Sequence, residues 1–599
     1  MKFTTPHYAV KNAAHSAKLP TMSHLNSASS KLFNRLVAAT LSFAALLAFQ
    51  SAQAANYYWD SNGATLGAGV TPNGTWGTDP FWSTASAGNV ATTNATTTTA
   101  DTVRFSAGSD TVGAYSVTVN GTQSALLIYG ISGNVTFTGG TLSLGTSTSS
   151  SSFVTQNTTS MTVNSTVSVT NGNATSNYLG FTPNAGTTIT VNGPVTATLP
   201  TNRIDIRNIG AGIVNIDTNL GNDATFKSAF QLGGIRGALG TLNLNGVQTL
   251  GTTQVISSDA TRIGTVNLGS TVNLGNAVQV GDISIAPVSA TGNMTGAIIN
   301  VNSAVTATTL NLRSGGTLNV GGSLTASGAA TLGLTTDTIH GATMKVLNGG
   351  TAALTTVNVR DGSVLTNAGT LTGTTLTLGN GTTSGTLVLG DATGAGTATV
   401  TQLTTSGTGT SNAIVGGNSA VSSLTVNASG ASTFGGQIGG AGANENNVAL
   451  VKQGASSLTL SGLNTYTGNT TVSLGTLILA DNAALNFAIG TTGVNNAVGG
   501  TGTLTLDGDF TFDLTSAAGL GSWNIVDVAN LTANFGATFT VVGFADAGGN
   551  KWTNTIGAST YTFDEATGIL TAVPEPATWA LLAGAGTFFM VMRRRRFVG

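Results

Sequence analysis

A glycine-threonine pair followed by an apolar residue, any residue and another apolar residue returns along this chain, and it limits the fold more than any other feature. It stands at Gly140–Leu144, Gly240–Leu244, Gly264–Leu268, Gly316–Val320, Gly385–Leu389, Gly475–Leu479 and Gly502–Leu506. Each copy reads as a short strand with its apolar residues on one side, entered from a glycine turn. So few residues cannot bury that side alone, so the copies must stack on one another to make a core. Gly-Asn, Asn-Gly and Gly-Gly pairs supply positive φ at the corners, and Thr and Asn outside the core can form hydrogen-bonded ladders between coils. The irregular spacing predicts an all-β chain, a right-handed parallel β-helix or β-solenoid with coils of uneven length and β caps at its ends. A β-sandwich array is the competing fold.

The totals fit such a stack. Only 7% of the 599 residues are charged, against roughly 25% in an ordinary soluble domain. Thr, Gly, Asn, Ser, Leu and Val run from Asn56 to Ala572 without a charge-rich linker. Disorder is the other reading of so much Gly, Ser and Thr. A 40% apolar content, a positive mean hydropathy and many β-branched residues argue instead for folded β structure. The chain has no Cys, which removes disulfides, thiolate catalysis and thiolate metal sites together. Its four His are His7, His15, His24 and His340, three of them in the leader, so a multi-His centre is excluded. His340 reads as a strand end before the Gly341 turn. No cofactor and no metal are expected.

Both ends read as addresses. Lys2, Lys11, Lys18, Lys31 and Arg35 precede an apolar run of about 14 residues, Leu36 to Phe49, and then Ala52-Gln53-Ala54. A basic region, a short apolar stretch and a small-x-small site are the parts of a secretory signal peptide. Cleavage is expected after Ala54, by signal peptidase following Sec export, with Met1 or Met22 as the start. At the other end Pro574, Glu575 and Pro576 precede Trp579, an apolar run to Met592 and Arg593, Arg594, Arg595 and Arg596. This predicts a short C-terminal transmembrane helix at 577–592. By the positive-inside rule its arginines stay in the cytoplasm, and they snorkel while Trp579 sits at the interface.

With those residues the tail resembles the PEP-CTERM group, over about the last 26 residues. The resemblance implies a Gram-negative bacterium that makes exopolysaccharide. It also implies processing near Pro574-Glu575-Pro576 by an exosortase-type membrane peptidase, an intermediate held in the inner membrane, and then release to the cell surface or matrix. A second resemblance lies in Lys452-Gln453-Gly454, Leu458-Thr459-Leu460, Asn464-Thr465-Tyr466-Thr467-Gly468 and Gly475-Thr476-Leu477. This stretch is similar to the autotransporter-associated β-strand repeat, which implies a β-helix and a role in surface display or adhesion. A membrane helix in place of a translocating barrel puts self-translocation in doubt.

The expected organisation is a signal peptide at 1–54, an N-terminal β cap region at 55–139 and a solenoid body at 140–480, with the repeat at about 450–479. A C-terminal β region at 481–572 and the sorting tail at 573–599 follow. The leader holds five basic residues and the tail four basic and one acidic, which leaves eleven basic against twenty-one acidic in between. A balance of −10 over so long a stretch disfavours nucleic-acid binding.

Chemistry is sparse. Arg203, Asp205 and Arg207 alternate onto one strand face and read as a surface ion-pair row. Paired carboxylates of the kind lyases and hydrolases use are not evident, so no catalytic residue is named. Trp59, Trp76 and Trp82 are the candidate carbohydrate contacts if their rings are exposed, and end-sealing residues if buried. The reading is a non-enzymatic, adhesin-like surface protein. A carbohydrate-binding module and a polysaccharide lyase or hydrolase are the alternatives.

Overall fold

The computed structural model describes residues 54–145, shorter runs between 151 and 333, residues 341–575 except 518, and residues 584, 587, 588 and 590. The chain divides into Met1–Ala55 and Asn56–Gly599. The expected leader up to Gln53, Ala52 included, lies outside the described residues, as do His340, Pro576 and Arg593 to Arg596. The side chains of Arg203, Asp205 and Arg207 lie outside them too.

Alternation decides the local structure. In Thr141–Leu144 the two leucines are buried while Thr141 and Ser143 are part-exposed. The same in-out pattern holds in Thr317–Val320, Thr386–Leu389, Thr476–Leu479 and Thr503–Leu506. All seven copies of the glycine-threonine pattern are strands, because β-branched and aliphatic residues at a period of two suit a half-buried pleat.

Early strands repeat in threes. Ala114–Val119 pairs in parallel with Asn134–Thr138, Thr122–Ala125 with Thr141–Leu144, and Leu127–Gly130 with Ser151–Thr155. Each group of three is therefore one coil laid on the next. Continued along the chain, this builds parallel sheets of fifteen and fourteen strands beside shorter ones. Parallel pairing of coil on coil is the arrangement of a β-solenoid, and it excludes the antiparallel sheets of a β-sandwich array. The partners Thr343–Val364, Val364–Thr386 and Thr386–Ala413 measure successive coils of 21, 22 and 27 residues, so coil length is uneven.

The corners show why the motif starts with glycine. At Gly385 a Cβ would overlap the Val359 carbonyl oxygen of the preceding coil. Gly475 meets the Gly454 carbonyl in the same way and adds a φ of +70°, a region that side-chain-bearing residues avoid. Inside, one apolar core runs from Trp59 to Ala572. Register partners stack within it: Phe153 lies over Phe181 at 5.7 Å, the rings 9° from parallel. Asn215, Asn243, Asn267, Asn300 and Asn319 occupy one row of successive register partners, and the side chains of Asn215, Asn243, Asn300 and Asn319 are part-exposed. Asn243 donates to Asn215 Oδ1 at 2.6 Å, and Asn319 to Asn300 Oδ1 at 2.8 Å. Each such bond contributes about 1 kcal/mol net.

Two expected boundaries are corrected. Asn56–Trp59 is already parallel to Thr102–Phe105, and Gly74–Trp76 to Ala114–Val119, so the coils begin before residue 139. Thr503–Leu506 and then Thr532–Phe535 stack in parallel beyond Thr476–Leu479, so the coils also continue past 480. The physical reason is the same at both ends: the alternating pattern persists, and a strand edge left by one coil takes the next. What differs is a five-stranded antiparallel sheet made by Gly521–Asn524, Ala545–Asp546, Lys551–Ile556, Ser559–Asp564 and Ile569–Pro574. It closes over the last coils, with Phe563 5.6 Å from Phe510.

Of the expected membrane helix at 577–592, only Gly584, Thr587, Phe588 and Met590 are described, each helical and exposed. Among the described residues no helix is long and apolar enough to cross a membrane.

Candidate functional site: the tryptophan end, the clasped coil and the sorting tail

The three candidate sugar-stacking rings are interior. Trp59 and Trp76 are fully buried and Trp82 is 1% exposed. Trp82 stands 5.0 Å edge-on to Trp59 and 5.5 Å from both Trp76 and Phe105. The Trp59 indole N–H donates to the Pro72 carbonyl at 2.8 Å. Sugar stacking needs an open ring face, so the carbohydrate-contact reading of Trp59, Trp76 and Trp82 is corrected. The strand Trp82–Ser83 lies antiparallel on Asn56–Trp59 and ends its sheet, so the rings plug the first coil. An outward row does form nearby, where the Arg104 guanidinium sits between the rings of Tyr58 at 5.4 Å and Tyr129 at 4.8 Å.

The coil around residues 450–479 is fastened by three buried polar side chains. In Val448–Gln453 the inward phase holds Val448, Leu450 and Lys452. Lys452 is fully buried, and its ammonium donates to the carbonyls of Gln453, Gly454 and Leu474 at 2.8, 2.9 and 3.0 Å. Burial holds its pKa below the usual lysine value. Asn464 is also buried and ties three coils. It accepts from Ile438 N–H at 3.1 Å and donates to the carbonyls of Gly462 and Ala484 at 2.9 and 3.0 Å. The Tyr466 hydroxyl pairs with the Thr470 hydroxyl at 2.6 Å.

Burial raises the Tyr466 pKa from 10.0 to about 12. A phenol that keeps its proton only when folded makes stability fall as pH rises, between 10.0 and about 12. The Tyr466→Phe variant should therefore lose less hydrogen-exchange protection than the parent over residues 450–479 in that window. The expected difference is on the order of 2 kcal/mol. Identical pH profiles for the two chains would remove the assignment.

Beside this coil, Val421, Ala449, Asn469, Val494, Asn495 and Asp513 help to line an open groove of about 580 Å³. Among the described residues no group of three or more His, Asp or Glu is arranged to hold a metal.

At the tail, Pro574 is the last residue of the strand Ile569–Pro574 and faces Ser559. The Glu575 N–H then donates to the Ala558 carbonyl at 3.0 Å. The first two residues of Pro-Glu-Pro are thus attached to the closing sheet.

Residues 450–479 match the passenger-associated-transport-repeat family, and residues 572–596 match the PEP-CTERM protein-sorting motif. The chain thus carries a PEP-CTERM sorting motif and a passenger-type repeat. No curated protein and no solved structure matches it. Such a motif implies export, processing by an exosortase-type system and sorting to the cell surface. In this chain the repeat's characteristic residues are fasteners: Lys452 ties off a corner, Asn464 bridges coils and Tyr466 fills the core. Reading the sequence by residue type missed those roles. The signal was present in the phase, since Lys452 and Asn464 both fall on inward positions of their strands.

Proposed function

We propose that this chain is a structural, adhesin-like β-solenoid of a Gram-negative cell surface or matrix, associated with exopolysaccharide and carrying no catalytic step. The observation that carries the reading is the outward face of the coils, where register places uncharged Thr and Asn row upon row. Such a face offers repeated hydroxyl and amide groups to a hydroxyl-rich polymer, without the cationic field that nucleic acid requires. Parallel crossovers favour right-handed coiling. Sec export, removal of the leader after Ala54, an inner-membrane intermediate held by a helix at 577–592 and exosortase-type processing complete the route.

The test is the intact mass of the protein from membranes and from the extracellular matrix of its host, together with co-sedimentation with purified host exopolysaccharide. A matrix form lacking the leader and the arginine tail, and sedimenting with the polymer, is expected. A membrane-bound form that keeps Arg593 to Arg596 would overturn the sorting route. A processed form that ignores the polymer would overturn the matrix role.

A further inference from the structure

We propose that the closing sheet sets the processing boundary of this chain, so that the scissile bond lies on the carboxyl side of Glu575 and the sorted form keeps Pro574 and Glu575. The inference rests on the exosortase-type processing proposed above. It deepens that reading by saying where the cut falls.

The last strand, Ile569–Pro574, lies between two neighbours. On one side Ala572, Thr571, Leu570 and Ile569 face Gly521, Ser522, Trp523 and Asn524. On the other side pairing reaches further, through Ala572 with Tyr561 and Val573 with Thr560, to Pro574 with Ser559. The hydrogen bond from Glu575 N–H to the Ala558 carbonyl carries the attachment one residue past the strand. Side chains hold it as well, because Leu570 is fully buried and Ala572 is 3% exposed. Backbone and core together commit the chain up to Glu575.

A peptidase takes its substrate as an extended segment and pairs that segment's backbone with its own. Up to Glu575 the backbone already has its partners in the closing sheet. To bring the Val573–Pro574 or Pro574–Glu575 bond into an active site, the enzyme would have to part the Ser559, Thr560 and Tyr561 pairs and draw Ala572 out of the core. The further a bond lies beyond Glu575, the fewer of these pairs must part. In the step itself an amide C–N bond breaks. The acyl carbon takes the oxygen of water or of a hydroxyl-bearing surface acceptor, and the leaving nitrogen takes the proton that oxygen gives up.

The boundary is read from the tryptic peptide that follows Lys551 and begins at Trp552, sequenced by tandem mass spectrometry from the matrix form produced in the host. The expected peptide ends at Glu575 or later, with or without an attached acceptor. A peptide ending at or before Pro574 overturns the boundary while leaving the sorting reading intact. A matrix form whose peptide runs on to Arg593 overturns the sorting reading and the boundary with it. The Leu570→Ala variant, which loosens the same strand, should yield a fraction of ends upstream of Pro574. If its ends coincide with those of the parent, the sheet does not set the boundary.

Discussion

Replacing Trp82 with alanine is expected to cost about 3–5 kcal/mol and to promote association through the end of the stack that Trp82 covers. Trp82 is 1% exposed and packs edge-on against Trp59, Trp76 and Phe105 at 5.0 to 5.5 Å. It also belongs to the strand that ends the first sheet, opposite Trp59. Removing the ring opens a cavity among the other three rings and loosens the strand that covers the edge of Asn56–Trp59. An uncovered edge presents unpaired N–H and C=O groups to any other chain. Hydrogen exchange should therefore rise across residues 56–105, and light scattering should grow with concentration. A variant with parental exchange and scattering would show that the tryptophans do not seal this end.

Replacing Lys452 with methionine has two opposed effects, and the sum is expected to destabilise the coil by about 2–4 kcal/mol. Methionine removes a buried charge, which by itself is favourable. It also takes the ammonium donor away from the Gln453, Gly454 and Leu474 carbonyls, in bonds that are part-buried, and a carbonyl left unsatisfied there costs up to about 1–3 kcal/mol. Together these losses outweigh the relief, since burial has already lowered the lysine's preference for charge. That shift adds a pH signature. A lysine with a lowered pKa binds fewer protons when folded than when unfolded, so it makes stability rise as pH climbs from the lowered value toward 10.5. Lys452→Met should lose protection over residues 450–479 at neutral pH and lack that rise. Unchanged protection in the methionine chain would mean that the three carbonyls find other donors.

Much of this fold was legible because one rule, alternation after a glycine corner, recurs at every copy from Gly140 to Gly502 and determines both strand and stacking. The boundaries at 139 and 480 were misplaced because they were drawn where composition changes, at the aromatic residues and the longer strands. Pairing follows pattern instead, and Thr503–Leu506 continues the row of Thr476–Leu479 whatever surrounds it. The tryptophans were ambiguous for a different reason: an aromatic near a turn looks alike in sequence whether it faces solvent or seals a core. Only the packing of Trp59, Trp76 and Trp82 around Phe105 decides between them. Lys452 and Asn464 were recognised as parts of a repeat, yet their roles depended on phase. A lysine between Val448, Leu450 and the Gly454 turn falls on the core side of its strand. The tail was legible as a motif, whereas its attachment to Ser559 and Ala558 depends on a sheet that the residues Pro-Glu-Pro do not announce.

Each coil takes its register only from the coil before and the coil after. Val364 holds toward Thr386 the position that Thr343 holds toward Val364. A stretch of one full coil can thus be lost or duplicated in the gene, and every remaining strand still meets an equivalent neighbour. Length becomes a quantity that recombination can adjust in single turns, each about 4.8 Å along the stack. The seal at one end and the address at the other are left untouched by such a change.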